Sequence, residues 1–239
     1  AWNFKAGGAA VANTDGTINS QVSVNNTLGF SIVKWSTSTT LATVGHGLSS
    51  APELIIGKGI NWSSSWPVYA LPIGNTKKMS LNDTSIPSTS TIWGNTTPTA
   101  TTFNQDFTGT AGRTNIAYCF TSKPGFSKVG SYTGTGAAGN NVVTGFEPAF
   151  VMVRKVNGGS WLMYDNKRNT SNPRNTTLVA DTSRVDYTTN LLAINFLSNG
   201  FQITGTDSDY NANGETYLYL AIAADGSTAT PSLANSFAT

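Results

Sequence analysis

A long internal repeat constrains this chain more than its composition does. Gly29-Phe30-Ser31 returns as Gly125-Phe126-Ser127, an offset of 96 (125 − 29). Ala51-Pro52-Glu53-Leu54-Ile55-Ile56 returns as Glu147-Pro148-Ala149-Phe150-Val151-Met152, its prolines again 96 apart (148 − 52). Ser65-Trp66-Pro67-Val68-Tyr69 returns as Ser160-Trp161-Leu162-Met163-Tyr164, offset by 95 (161 − 66). Three matches in one order, at nearly one offset, mark a unit far longer than a solenoid turn. A unit of about 100 residues is a small domain able to bury a modest core of its own. Duplication of a whole unit points to a scaffold or binding array more than to a single catalytic centre.

Composition says which kind of domain. Of the 239 residues, 11% are charged, against roughly 25% in ordinary soluble domains. Ser, Thr, Asn and Gly take up the difference. The hydrophobic fraction of 38%, with 11 Phe, 8 Tyr and 6 Trp, is too aromatic for a disordered chain. β-Branched and aromatic residues over a polar background favour strands. A net charge of +2 with no Lys/Arg run argues against nucleic acid as a partner, which needs a basic stripe. No stretch approaches the ~20 apolar residues of a membrane span, so no membrane insertion is expected. The single cysteine, Cys119, rules out an intrachain disulfide and reads as a small buried side chain. Stability without disulfides, in a chain of extracellular character, leads to the expectation of a homo-oligomer or a particle.

Strand-like runs recur at near-regular spacing with turn residues between them, the pattern of an all-β sandwich or barrel. In the first unit they fall at residues 30–35, 54–56, 66–71, 78–81, 91–93, 101–103 and 115–120. In the second they fall at 126–132, 150–155, 161–164, 177–180, 191–196, 201–204 and 216–223. A helical turn within 190–197 is the alternative for that segment. The expected fold is all-β: two tandem β-sandwich (jelly-roll-like) repeats of about 100 residues with an N-terminal extended arm. The boundaries are an N-terminal strand and connecting arm over 1–28, repeat 1 over 29–123, repeat 2 over 124–226 and an extended tail over 227–239. The chain begins at Ala1 rather than Met, and Ala1-Trp2-Asn3-Phe4-Lys5 is similar to Ala117-Tyr118-Cys119-Phe120-Thr121. It therefore reads as the closing strand of a preceding repeat, and the chain as part of a longer array.

Several motifs carry a family resemblance. They include Trp2-Asn3-Phe4-Lys5-Ala6-Gly7-Gly8, Asn13-Thr14-Asp15-Gly16, Val44-Gly45-His46-Gly47-Leu48 and Trp93-Gly94-Asn95-Thr96-Thr97-Pro98-Thr99. In the second unit they include Gly130-Ser131-Tyr132-Thr133-Gly134, Phe196-Leu197-Ser198-Asn199-Gly200-Phe201 and Gly214-Glu215-Thr216-Tyr217. In order and spacing these resemble the repeat domains of marine-phage tail-fibre-like virion structural proteins. The resemblance implies a non-enzymatic virion component: a tail fibre, an appendage or a surface-decorating protein. It implies other virion proteins as partners and the surface of the particle as the location, and it carries over no catalytic residues. The polar stretch after Thr228 departs from the aromatic, basic ending frequent in that family.

The side chains with chemical potential are few. His46, the only histidine, sits between two glycines and reads as a turn residue. With one His and one Cys in the chain, no zinc site is expected, and no cofactor. Asp207, Asp209 and Asn211 place oxygens at alternate positions, as calcium requires. However, counted from Asp207, Ala212 falls where an EF-hand loop has glycine and Leu218 where it has a bidentate acid. The alternative is an Asn/Asp-rich hairpin loop, and calcium stands only as a weak candidate. Glu53 and Glu147 lie at equivalent turns and read as solvated acids rather than the facing pair of a glycosidase. Trp66, Trp93 and Trp161 read as core. Trp62, in Asn61-Trp62-Ser63-Ser64-Ser65, has no aromatic counterpart in Val156-Asn157-Gly158-Gly159. A Trp among Asn and Ser suits stacking on a sugar or burial at a subunit contact. Trp62 and Tyr210, with Tyr187 behind them, are the candidate ligand-binding residues. They define the second functional reading, an adhesin or receptor-binding module for host surface glycans.

Overall fold

The computed structural model describes residues 6–106 and 110–223. The chain divides into two compact units. The first takes in residues up to Leu81 together with Pro87–Thr121, and the second takes in Asn82–Ile86 and continues from Ser122. The segments 1–5 and 227–239, expected to be a strand and an extended tail, lie outside the described residues.

Unit 1 is built on β1 (Val11–Asn13), β2 (Ser20–Asn25), β3 (Phe30–Ser36), β4 (Thr43–Gly45), β5 (Leu54–Gly59), β6 (Pro67–Ala70), β7 (Lys77–Ser80), β8 (Ser88–Thr89), β9 (Thr102–Asn104) and β10 (Thr114–Phe120). The large sheet runs β1-β2-β3-β10-β5-β6-β7-β8, and β4 pairs with β9 in a small one. Every pairing is antiparallel. Alternation along β3 and β10 turns Val33, Trp35, Ala117 and Cys119 inward, where they meet Val44 and Phe103 of the small sheet. Trp35 and Phe103 pack edge to face at 5.6 Å, and Tyr69 and Trp93 at 5.7 Å, the geometry that ring quadrupoles favour.

Unit 2 is built on β11 (Ser127–Thr133), β12 (Asn140–Val143), β13 (Pro148–Lys155), β14 (Trp161–Asp165), β15 (Thr176–Val179), β16 (Tyr187–Thr188), β17 (Ile194–Leu197), β18 (Gly200–Ile203) and β19 (Thr216–Ala223), with a single helical turn, α1 (Ser208–Asn211). Its large sheet runs β11-β19-β13-β14-β15-β16, and β12-β18-β17 form the small one. This order matches β3-β10-β5-β6-β7-β8 strand for strand. The hydrogen bonds that close the loops recur at matching places too. Thr37 N–H to Arg113 O (2.8 Å) corresponds to Gly134 N–H to Glu215 O (2.8 Å), and Ile60 N–H to Thr114 O (2.8 Å) to Val156 N–H to Thr216 O (2.9 Å). Leu81 N–H to Trp66 O (2.8 Å) corresponds to Ala180 N–H to Trp161 O (3.0 Å), and Ser90 N–H to Thr76 O (2.9 Å) to Thr189 N–H to Asn175 O (2.9 Å).

The structure departs from the sequence reading in several places, among them the short strands β8, β12 and β16, which the strand pattern did not show. Residues 11–26, expected as a connecting arm, form the β1–β2 hairpin on the edge of β3. Ser20 and Val22 face inward while Gln21 faces out; the period of two is there, but serine at an inward position hides it. The expected turn at 44–47 overlaps strand β4, because Val44 is needed in the core. Residues 91–93 are not a strand, although Trp93 is fully buried, so an aromatic there reports burial and not pairing. The run 191–196 splits into a 3-10 turn over Asn190–Leu192, capped by the Thr189 hydroxyl, followed by β17. The core of unit 1 hinges on the aromatic contact between its two sheets. Phe103, 1% exposed, should on conversion to Ala cost about 3–5 kcal/mol of folding free energy, measured by urea denaturation.

Candidate functional site

The two candidate ligand-binding aromatics are placed very differently. Tyr210 is 0% exposed. Its hydroxyl donates to the carbonyl of Ala193 (2.8 Å) and accepts the N–H of Gly205 (2.8 Å). A ring sealed from solvent offers no stacking face, so the ligand-binding expectation for Tyr210 is corrected: it is an internal strut that holds the loop before α1. Burial pushes its phenol well above the ordinary tyrosine value by disfavouring the phenolate, opposed by the Gly205 N–H. Trp62 is half-buried. Its indole N–H donates to Asn115 Oδ1 at 3.0 Å, and the Arg113 guanidinium lies 4.5 Å from the ring centroid. One ring face is thus in a cation–π contact, which withdraws it from a sugar. Tyr187 is covered in the same manner by Arg184 at 3.5 Å.

The weak calcium candidate is committed elsewhere. Asp207 is the N-cap of α1, its carboxylate accepting the N–H of Asp209 at 2.8 Å, the usual work of Asp before a helical turn. Asn211 is fully buried; its amide donates to Ala137 O and Gly205 O, and its carbonyl oxygen accepts Thr135 N–H at 3.0 Å. Asp209 has its pKa raised, first by burial and then by neighbouring Asp207, opposed by Lys155. Of the oxygens that sequence spacing lined up, those of Asp207 and Asn211 are turned to backbone donors instead. What the sequence read as a hairpin loop is α1, and it is Asn211 that fixes it. Among the described residues no three His, Cys, Asp or Glu side chains gather as metal ligands would.

His46 and Cys119 are both interior. The His46 ring accepts Leu48 N–H on Nδ1 (3.1 Å) and faces Thr99 O from Nε2 at 3.2 Å. That pattern selects the neutral tautomer with its proton on Nε2. Burial holds its pKa below the usual value, opposed by the Thr99 contact and by Asp15. Cys119 is fully buried, and desolvation pushes its thiol up to about 12, far from nucleophilic range. Of the three glutamates, Glu147 is exposed, while Glu53 and Glu215 are half-exposed.

One constellation was not legible in advance. Arg154, at the end of β13, is 0% exposed, rare for arginine unless it is paired. Its guanidinium lies 5.2 Å from the Trp161 ring centroid. It donates to the carbonyl of Asp83 and, at 2.7 Å, to that of Ser85. The Gly159 N–H donates to Thr84 O between them at 3.0 Å. Gly158 and Gly159 take φ of +89° and +136°, and a Cβ on Gly158 would stand 3.1 Å from Ile86. Three successive carbonyls of Asn82–Ile86 are thus held by a Trp-backed cation and a glycine turn, all within unit 2. In unit 1, Lys58 occupies the corresponding position on β5, 5.7 Å from the Trp66 centroid. It donates instead to its own turn, to Ser64 O at 2.7 Å and Ser64 Oγ at 3.3 Å. No sequence motif marks this; the clue is a cation followed by a tryptophan in both units, eight residues on in one (66 − 58) and seven in the other (161 − 154).

Over residues 1–225 the chain matches the family described as "Domain of unknown function (DUF7483)", and it belongs to that family. No curated protein and no solved structure matches it.

Two measurements check these placements. Tyr210→Phe leaves the buried Gly205 N–H without its acceptor and should cost about 1–3 kcal/mol in urea denaturation, with no change in strand content by circular dichroism. For His46, the folded-state pKa lies below the unfolded one, so the unfolded chain takes up the proton first as pH falls. Stability from this group is complete above the unfolded pKa and is lost progressively below it. Denaturation midpoints should fall between pH 7.5 and 5.5 in the native chain and fall less in His46→Gln; parallel curves would contradict the assignment.

Proposed function

We propose that this chain is a non-enzymatic phage virion structural protein, a tail fibre, appendage or surface-decorating component, built from tandem repeats and assembled with other virion proteins and with copies of itself. The observation that carries the reading is the recurrence, unit by unit, of strand order, closing hydrogen bonds and a Trp-backed cation. A duplicated fold whose matching positions are structural throughout is what a scaffold needs, and a single reaction centre does not call for it. The resemblance of the sequence to marine-phage fibre repeats supplies the setting. The low charge fits as well, because surfaces that meet many times along an assembly profit from weak electrostatic repulsion. The chain's only thiol and only imidazole are both sealed inside unit 1, which withholds the two most versatile catalytic groups from any substrate.

Antibodies against the purified chain should label intact particles, and mass spectrometry of gradient-purified virions should find the chain in many copies per particle. Its absence from particles would remove the reading. A host-glycan array run on the same protein addresses the adhesin alternative. Binding lost in Trp62→Ala would favour that alternative, and no binding, the outcome expected from the covered ring, would leave the scaffold.

A further inference from the structure

The segment held by Arg154 has a counterpart that is anchored at Asp181, whose carboxylate accepts Trp161 N–H at 2.7 Å, but whose following carbonyls are not held. Asn82–Ile86 is the loop between β7 and β8, and residues 181–185 form the loop between β15 and β16. The two are in register: Lys77 and Lys78 pair with Thr89 and Ser88, as Thr176 and Thr177 pair with Thr188 and Tyr187. Asp83, Thr84, Ser85 and Ile86 therefore correspond to Thr182, Ser183, Arg184 and Val185. The first loop gives three carbonyls to Arg154 and Gly159. Among the described residues, no hydrogen bond reaches the carbonyls of Thr182, Ser183 or Arg184. Val185, the counterpart of Ile86, is 79% exposed.

The receiving side shows the complementary difference. Arg154 and Trp161 are sealed, at 0% and 2% exposed. Lys58 and Trp66, their counterparts, are only half-buried. The cation–tryptophan pair is the same in kind, and what distinguishes the sealed copy is the loop lying over it. Ser64 covers Lys58 in part, but an ammonium has three donors and Ser64 offers two acceptor atoms. Trp62 stands in this turn, an aromatic that unit 2 lacks.

We propose that the β15–β16 loop of one copy docks on the Lys58–Trp66 surface of a second copy, repeating between molecules the contact that Asn82–Ile86 makes with Arg154. The recognition is of backbone carbonyls by a Trp-backed cation, so it tolerates the change of side chains between the two loops. Donor and acceptor are different surfaces, so the contact is heterologous and propagates as an open array rather than closing as a dimer. The inference rests on the repeat geometry of the proposed function and not on its virion setting.

Engineered cysteines test it in the full chain, since Cys119 is buried and leaves the introduced thiols as the reactive ones. Ser63→Cys lies on the acceptor turn and Ser183→Cys on the donor loop; both positions are exposed. Mixed in solution with a short bismaleimide, these two variants should cross-link about tenfold faster than Ser63→Cys mixed with Asn141→Cys, because docking raises their effective concentration. The double variant should give a ladder beyond dimer, and a peptide of residues 180–187 should suppress both. Equal rates for the two mixtures, or rates indifferent to the peptide, would overturn the proposal. Either outcome is read on purified protein, so it is separate from whether the chain is found on particles.

Discussion

Each unit depends on a strand that arrives late and sits in the middle. β10 is flanked by β3 and β5, and β19 by β11 and β13. Until β10 is in place, β3 and β5 have no hydrogen-bonded connection, although the chain between them is complete. The pairings it makes are the longest in the sheet, joining Phe120 to Phe30 on one side and to Leu54 on the other. Such a strand carries a high loop-closure cost that only a nearly complete core can offset. This accounts for its composition. The run Tyr217-Leu218-Tyr219-Leu220-Ala221-Ile222-Ala223 is buried at every position, because a central strand covered on both faces has no solvent side to alternate toward.

With the centre fixed in this way, the edges are free to differ, and they do. Unit 1 extends past β3 with the β1–β2 hairpin, whereas among the described strands β11 is the last on its side. On the other side, β7–β8 and β15–β16 are short hairpins of the same register, and their loops are polar and exposed. Low charge follows from this economy. Among the described residues the ion pairs gather on Arg168, which joins Asp165 and Asp186. Other cations answer to rings and carbonyls instead: Arg154 over Trp161, Arg174 over Phe196, Arg113 over Trp62. Carbonyls and rings meet part of a guanidinium's demand without adding a second charge to desolvate; the Nε of Arg154 and of Arg174 stays unpartnered.

The sequence made the sheets legible and left the site obscure, for physical reasons. Strands such as β3, β10 and β13 declare themselves because their inward residues are large and apolar, and the repeat doubles every signal. β2 and β12 do not, since serine and asparagine share their faces with valine. The candidate site suffered from the opposite problem. Tyr210, Asp207, Asp209 and Asn211 sit in a stretch of polar spacing that resembles a binding loop. There, burial of Tyr210 and Asn211 turned their polar atoms toward backbone partners. Composition shows which polar groups are present, but it does not show whether water or the chain's own amides satisfies them. Trp62 stands apart in sequence as the unmatched aromatic, yet its partner Arg113 lies 51 positions away (113 − 62) and no local pattern predicts that contact.

The turn that holds Trp62 bears on how each unit meets the needs of its own cation. Between Gly59 and Trp66 unit 1 has six residues, and between Lys155 and Trp161 unit 2 has five. The longer turn lets Ser64 reach back to Lys58, so the cation finds two acceptor atoms inside its own unit. The shorter one, opened by Gly158 and Gly159, leaves Arg154 dependent on a segment from elsewhere in the sequence. A buried arginine stripped of its carbonyls would be costly; a lysine held by its own serine is not. Unit 1 therefore meets most of its cation's demand within one turn, whereas unit 2 draws on Asn82–Ile86 for the same purpose.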